Sequence, residues 1–412
     1  MLKNYFKIAI AVLKRRKFFT FISLFGISFT LTILMVLTAF MDNVINPTYP
    51  DLKRDRSLFI NHVELQNSTK GWRNSSSPSF YFLTHYAGSM KTPEKMAITS
   101  TGSSSNAYVN DKKIVMDVKY TDANFWEVAD FDFTEGKPYS KAQIEQSQHV
   151  AVITERTKAD YFGDQPSVVG KYIEADNIRY RVIGVVKDPP VTSNTYFAGL
   201  FLPYTLTKSN YKDTGHMGDF NAVLLAKSTA DVDKMQKEYD QIISRVPTND
   251  PGMDRLYSNA DTYFRDKVRG LLGTGAKSGF ERFMLMISLA IFLFMLLPTI
   301  NLININITRI MERSSEIGVR KAFGASSKTL VYQFIIENLI LTGIGGILGT
   351  LFSGLALYFI NQSNFLMGLH LSMNFTIFFY GLIACVVFGI LSGVYPAWRM
   401  SKLAIVKALK AQ

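Results

Sequence analysis

The chain has one cysteine, Cys385, in 412 residues, and it lies inside an apolar run. No disulfide framework is available, although a large exported domain can fold without one, so the count leaves the redox compartment open. The five histidines (His62, His85, His149, His216 and His370) form no H-x-x-x-H pair, and neither H-E-x-x-H nor G-x-S-x-G occurs. Asp and Glu are interspersed with Lys in the manner of a solvated surface. The stretch Gly270–Ser278 resembles a phosphate loop, but Ala276 separates Gly275 from Lys277, and no strand pattern leads into it. It is expected to be a flexible hinge. The chain is therefore expected to have no active site, bound metal or nucleotide-binding motif of its own.

Acidic residues are missing from the N-terminal end and scarce at the C-terminal one. Residues 1–40 carry 6 basic and no acidic side chains, and residues 283–412 carry 9 basic and 3 acidic. The middle holds 30 of each sign, so the whole net charge of +12 belongs to the ends. A nucleic-acid binder would place such an excess on a folded basic surface. Here it flanks long apolar runs, which excludes a soluble enzyme and argues against a nucleic-acid partner.

The first run, 18–40, has no charged residue in 23 positions. As a helix it reaches roughly 34 Å, enough to cross a hydrocarbon core of about 30 Å. It is too long for a signal peptide and reads as an uncleaved anchor. Further runs occupy 283–308, 330–360 and 375–395. Each must be helical, because backbone groups in lipid need internal partners. Lys and Arg concentrate in 1–17, 309–329 and 396–412, whereas 361–374 has none. That bias places both termini and the 309–329 link on the cytoplasmic side and residues 41–282 outside. Leu2, Tyr5, Phe6, Ala9, Ile10 and Leu13 line one face of residues 1–17, an amphipathic helix at the lipid surface.

The outer segment 41–282 mixes strand-like runs at 149–154, 171–174, 180–186 and 220–226 with a helical pattern at 230–246, and turn clusters are expected at 74–78 and 101–106. The fold class is thus a membrane protein of four transmembrane helices in a 1+3 layout, with an α+β extracytoplasmic domain inserted between the first and second.

In the 309–329 link, Glu316 and Arg320 stand one turn apart in the favourable i,i+4 order. Gly324 can end that helix and Ser326 or Ser327 can cap the next. The result is either a headgroup-binding segment or a docking knob for a cytoplasmic partner. Glu337 lies within the third run, where a carboxylate is costly; it either reaches the headgroups or meets a partner across the bundle. Gly345 and Gly349, like Gly389 and Gly393, allow close helix approach within the chain or between copies.

The stretch Glu316-Ile317-Gly318-Val319-Arg320-Lys321-Ala322-Phe323-Gly324-Ala325 resembles the signature of the FtsX-type permease superfamily of bacterial ABC transporters, especially its MacB-like branch. Gln333 to Glu337, Gly345 to Gly349, Gly393 to Ala397 and Ile405 to Leu409 fit the same pattern, with Ala404 where a proline is usual. His149 to Phe162, Gly163 to Lys171 and Tyr180 to Val185 resemble its MacB-type core, while 50–120 match no part of it. The resemblance implies a permease in the bacterial inner membrane, used as a dimer with a second copy or homologue. A separate cytoplasmic ATPase, carrying the ATP and Mg, would dock on Arg313, Glu316, Gly318, Arg320, Lys321 and Gly324. A periplasmic adaptor or other extracytoplasmic protein is a further implied partner. The implied output is export or extrusion, with two alternatives: release of lipoproteins, or regulation of a cell-wall hydrolase.

Overall fold

The structure is a computed structural model that describes residues 17–109, 112–248, 250–293, 327–363 and 371–376, with isolated positions elsewhere. It divides into two compact units. One comprises Met1–Asn43, Leu285–Phe365 and His370–Gln412; the other comprises Val44–Met284 with Leu366–Leu369.

In the second unit a ten-stranded sheet and a four-stranded sheet are built from fourteen strands. In chain order these are β1 (Ser57–Ile60), β2 (Val63–Gln66), β3 (Arg73–Pro78), β4 (Lys95–Ser100), β5 (Ser103–Val109), β6 (Lys112–Thr121) and β7 (Phe133–Gly136). They continue with β8 (Val150–Thr154), β9 (Tyr172–Ala175), β10 (Ile178–Val186), β11 (Leu200–Pro203), β12 (Met217–Gly218), β13 (Phe220–Leu225) and β14 (Arg255–Ser258). The large sheet runs β1-β13-β4-β6-β11-β8-β10-β7, with β5 on β6 and β9 on β10; the small one runs β12-β3-β2-β14. Only β8–β10 and β6–β11 are parallel among these pairs.

Both faces of the large sheet are covered, and strand composition shows why. Every residue of β8 is buried. Val150 and Val152 enter one apolar cluster, Ala151 and Ile153 another on the opposite face. β13 divides in the same way, with Phe220, Ala222 and Leu224 on one side and Val223 and Leu225 on the other.

Helices α1 (Lys17–Ile45), α2 (Phe80–His85), α3 (Phe125–Val128), α4 (Lys141–Glu145), α5 (Glu155–Phe162), α6 (Val232–Ile243) and α7 (Tyr263–Leu272) follow in chain order. Residues 280–293 are helical and are called α8; α9 is Ser327–Gln362. The periodicity expected at 230–246 appears as α6, which buries Val232, Met235, Tyr239 and Ile243. α4 opens with a full capping box, Ser140 and Gln143 satisfying each other's backbone N–H groups.

Three expectations need correction. Residues 74–78 are not a turn but most of β3, and 101–106 are an irregular step at Thr101 and Gly102, the latter with positive φ, that leads from β4 into β5, both paired with β6. Serine carries a turn preference, yet pairing with β2 and β6 overrides it, because strand preference depends on context more than on residue type. Nor is 270–278 a loose hinge. α7 continues through Leu272, and Thr274 and Lys277 exchange backbone hydrogen bonds of 2.9 and 3.0 Å. The Gly275 N–H donates to Glu64 Oε2 at 2.9 Å, so an anionic group from the protein itself already occupies that backbone donor.

A buried ion pair near the start of this unit packs against α7. Arg54 and Asp51 are both buried, with Arg54 Nε 2.7 Å from Asp51 Oδ2. The guanidinium also lies 3.9 Å from the Tyr263 ring centre and donates to the Asn46 carbonyl at 2.7 Å. Removing one partner strands a buried charge. Arg54→Ala should therefore cost about 3–5 kcal/mol, whereas an exposed ion-pair change such as Lys141→Ala should cost less than about 1 kcal/mol. Thermal unfolding of the full-length protein distinguishes them; equal midpoints would show that the pair anchors nothing.

Candidate functional site: the glycine face of the long helices

Two described helices contain stretches long and apolar enough to cross a membrane, Thr20–Asn43 within α1 and Ile335–Gln362 within α9. α1 continues five residues past the expected end at Phe40, and α9 begins before residue 330. Of the other expected spans, 283–293 is helical, and so are the described positions of 375–390. The coupling residues Arg313, Glu316, Gly318, Arg320, Lys321 and Gly324 lie outside the described residues, as do Gly389, Gly393 and most of 1–17.

Gly345 and Gly349 face α1 of the same chain. A Cβ on Gly345 would stand 2.6 Å from Ile27 Cγ2; one on Gly349 would stand 2.8 Å from Leu31 Cβ and 3.1 Å from the Ser28 carbonyl. The two backbones approach too closely for any larger residue, as small-residue stripes in membrane helices permit. The Thr32 hydroxyl lies 2.8 Å from the Ser28 carbonyl in its own helix and 3.3 Å from the Gly349 carbonyl across the contact. Ile27 and Leu31 are correspondingly buried. The pairing of 345 with 27 and 349 with 31 means that the helices run parallel.

Glu337 belongs to the same face, two four-residue steps before Gly345. It is 1% exposed, beside the buried Asn338, Leu341 and Thr342. It falls in the first turn of the Ile335–Gln362 stretch rather than at its centre, which is where a carboxylate is tolerated best. At the other end, Asn361 exchanges two 2.9 Å hydrogen bonds with the Leu371 backbone. Asn374 accepts from the Thr376 N–H and donates to Asp42 Oδ1, both at 3.0 Å.

The sequence reading marked the glycines but missed Ser28 and Thr32, which receive them. Small hydroxyl residues at Ser23, Ser28 and Thr32 in an otherwise apolar run were the available signal.

Two family matches cover most of the chain. Residues 20–242 match the MacB-like periplasmic core domain and residues 288–405 the FtsX-like permease C-terminal family. Among curated relatives, the macrolide export ATP-binding/permease protein MacB of Salmonella typhimurium is 23% identical over 297 residues, 72% of this chain and 43% of that protein. The pyoverdine export ATP-binding/permease protein PvdT of Pseudomonas syringae pv. tomato is 24% identical over 295 residues, 71% of this chain and 42% of that one. The chain thus spans less than half the length of these relatives. Solved structures similar to it include the periplasmic region of MacB from Actinobacillus actinomycetemcomitans, with TM-score 0.37, 14% identity and coverage of 52% of this chain and 92% of that one. A domain of a putative permease from Porphyromonas gingivalis has TM-score 0.41 at the same identity and coverage.

Gly345→Leu should separate α1 from α9 and cost about 1–3 kcal/mol, the range for overpacking a filled contact. Thr32→Val should cost only about 0.6 kcal/mol, typical of a hydrogen bond between membrane helices. Unfolding midpoints in detergent test the order; a larger loss from Thr32→Val would overturn it. By its two matched domains, in this order along one polypeptide, the chain belongs to the MacB-like, FtsX-type family of ABC transporter permeases.

Proposed function

We propose that this protein is the transmembrane subunit of an exporter driven by a separate cytoplasmic ATPase. The observation that carries the reading is the succession of a MacB-like core domain at 20–242 and an FtsX-like permease region at 288–405. In this reading four spans lie in a 1+3 layout with both termini cytoplasmic, and two permease chains pair. ATP and Mg bind the ATPase, which docks on the 309–329 link through Arg313, Glu316, Gly318, Arg320, Lys321 and Gly324.

Closure of the ATPase pushes on that link, tilts the spans and moves the outer domain. A rigid α1–α9 contact supports such a mechanism, because helices joined by a close small-residue face move as one body rather than bending independently. The export named for the macrolide and pyoverdine relatives makes a small exported molecule the substrate class to test first.

Glu316→Arg and Arg320→Glu should each abolish co-purification of the full chain with its cognate ATPase and remove the permease's effect on ATP hydrolysis. Unchanged co-purification in both variants would eliminate the 309–329 link as the docking element. If the wild-type chain binds no candidate ATPase, the transporter reading itself fails.

A further inference from the structure

A cleft of about 470 Å³ opens in the outer unit between α2, the 87–90 turn, β4, the 122–124 turn, α4 and Tyr204. That volume lies within the roughly 300–1,000 Å³ range of small-molecule sites. Its apolar lining comes from Phe80, Met90, Met96, Ile98, Ile144 and Tyr204. Phe80 and Tyr204 stack at 4.3 Å, giving a flat aromatic surface, while the two methionines supply a wall that adapts to shape.

Glu94, Lys95, Lys141 and Glu145 stand at the same cleft, as does the half-buried Asp122. Its Oδ1 accepts from the Phe125 N–H at 2.9 Å, and its own N–H donates to the Ile98 carbonyl at 3.1 Å. Among the described residues it has no ion-pair partner. The charges around the cleft are already engaged: Lys95 with Glu127, Glu94 with Arg56, and Lys141 with Glu145. Tyr139, behind the turn, is committed to Thr121 and to the Leu202 carbonyl. A half-buried carboxylate with no ion-pair partner among the described residues is available to a cationic ligand group.

We propose that this cleft binds an amphipathic amine, a small molecule with an apolar body and one positive charge, the charge resting on Asp122 and the body against Phe80, Met96 and Tyr204. The site is independent of the direction or existence of transport.

Burial pushes the Asp122 carboxyl up to about 7. A carboxyl raised in this way is mostly neutral at pH 6 and mostly ionised at pH 8. A permanently charged ligand should therefore bind about tenfold more tightly at pH 8 than at pH 6. The other titratable groups around the cleft are Glu94, Lys95, Lys141, Glu145 and Tyr204, whose hydroxyl pKa burial raises above its ordinary value.

The test uses the full chain in phosphatidylcholine nanodiscs, with benzyltrimethylammonium and its uncharged isostere neopentylbenzene as probes, followed by saturation-transfer NMR at pH 6 and pH 8. The expected result is saturable binding of the cation that strengthens about tenfold at pH 8, and no pH dependence for the isostere. Asp122→Asn keeps the acceptor for Phe125 and should flatten the pH dependence. Gly88→Leu should remove binding of both probes: a Cβ there would lie 3.6 Å from Met96 Cε, and the longer side chain fills the cleft. The wild-type pH comparison stands even if a variant fails to fold. Absence of saturable cation binding at pH 8, binding that ignores pH, or wild-type behaviour in a folded Asp122→Asn would each overturn the proposal.

Discussion

The membrane unit depends on how closely two helices can approach. Lipid supplies no hydrophobic drive for helices to associate, so contact must come from van der Waals fit and the few polar groups available. Gly345 and Gly349 remove two side chains from α9 so that Ile27, Ser28 and Leu31 can reach its backbone. Thr32 adds a hydroxyl to the same junction. Leu341 and Glu337, earlier in α9, are also buried.

The outer unit obeys a different constraint. It is exposed to water on its surface and carries balanced charge, so its stability comes from two-sided burial of strands such as β8 and β13. The Arg54–Asp51 pair and its contact with Tyr263 join the first residues of the unit to α7. A fully buried ion pair seldom stabilises more than an apolar replacement would, but it is unforgiving of partial loss. It thereby fixes which two segments meet.

What the residues reveal on their own follows from whether the signal is local. Val150–Thr154, Ile178–Val186 and Phe220–Leu225 are apolar enough to be read as strands, and α6 shows its face through Val232, Met235, Tyr239 and Ile243. β3 and β5 could not be read that way, because Arg73–Pro78 and Ser103–Val109 are polar, serine-rich segments that become strands only by pairing with the neighbouring β2 and β6. The glycine spacing at 345 and 349 identifies a face but not its occupant, which lies more than 300 residues away. Asp122 looked like any surface carboxylate; its setting is assembled from segments between residues 80 and 204. At Gly270–Ser278 one misplaced residue argued against a phosphate loop, but the sequence could not foresee that Glu64 would hold the turn.

The order of strands in the large sheet also constrains how the molecule is made. β1 pairs with β13, and β13 then pairs with β4. The first strand of the unit therefore has no sheet to join until residues near 225 have left the ribosome, more than 160 positions later. Until then its apolar residues, Leu58, Phe59 and Ile60, remain uncovered. Such long-range closure is slow and leaves strand edges open to other chains. A synthesis pause or truncation before β13 would thus be more damaging than one after it, and the vulnerable product would be an aggregation-prone nascent chain already held at its base by α1.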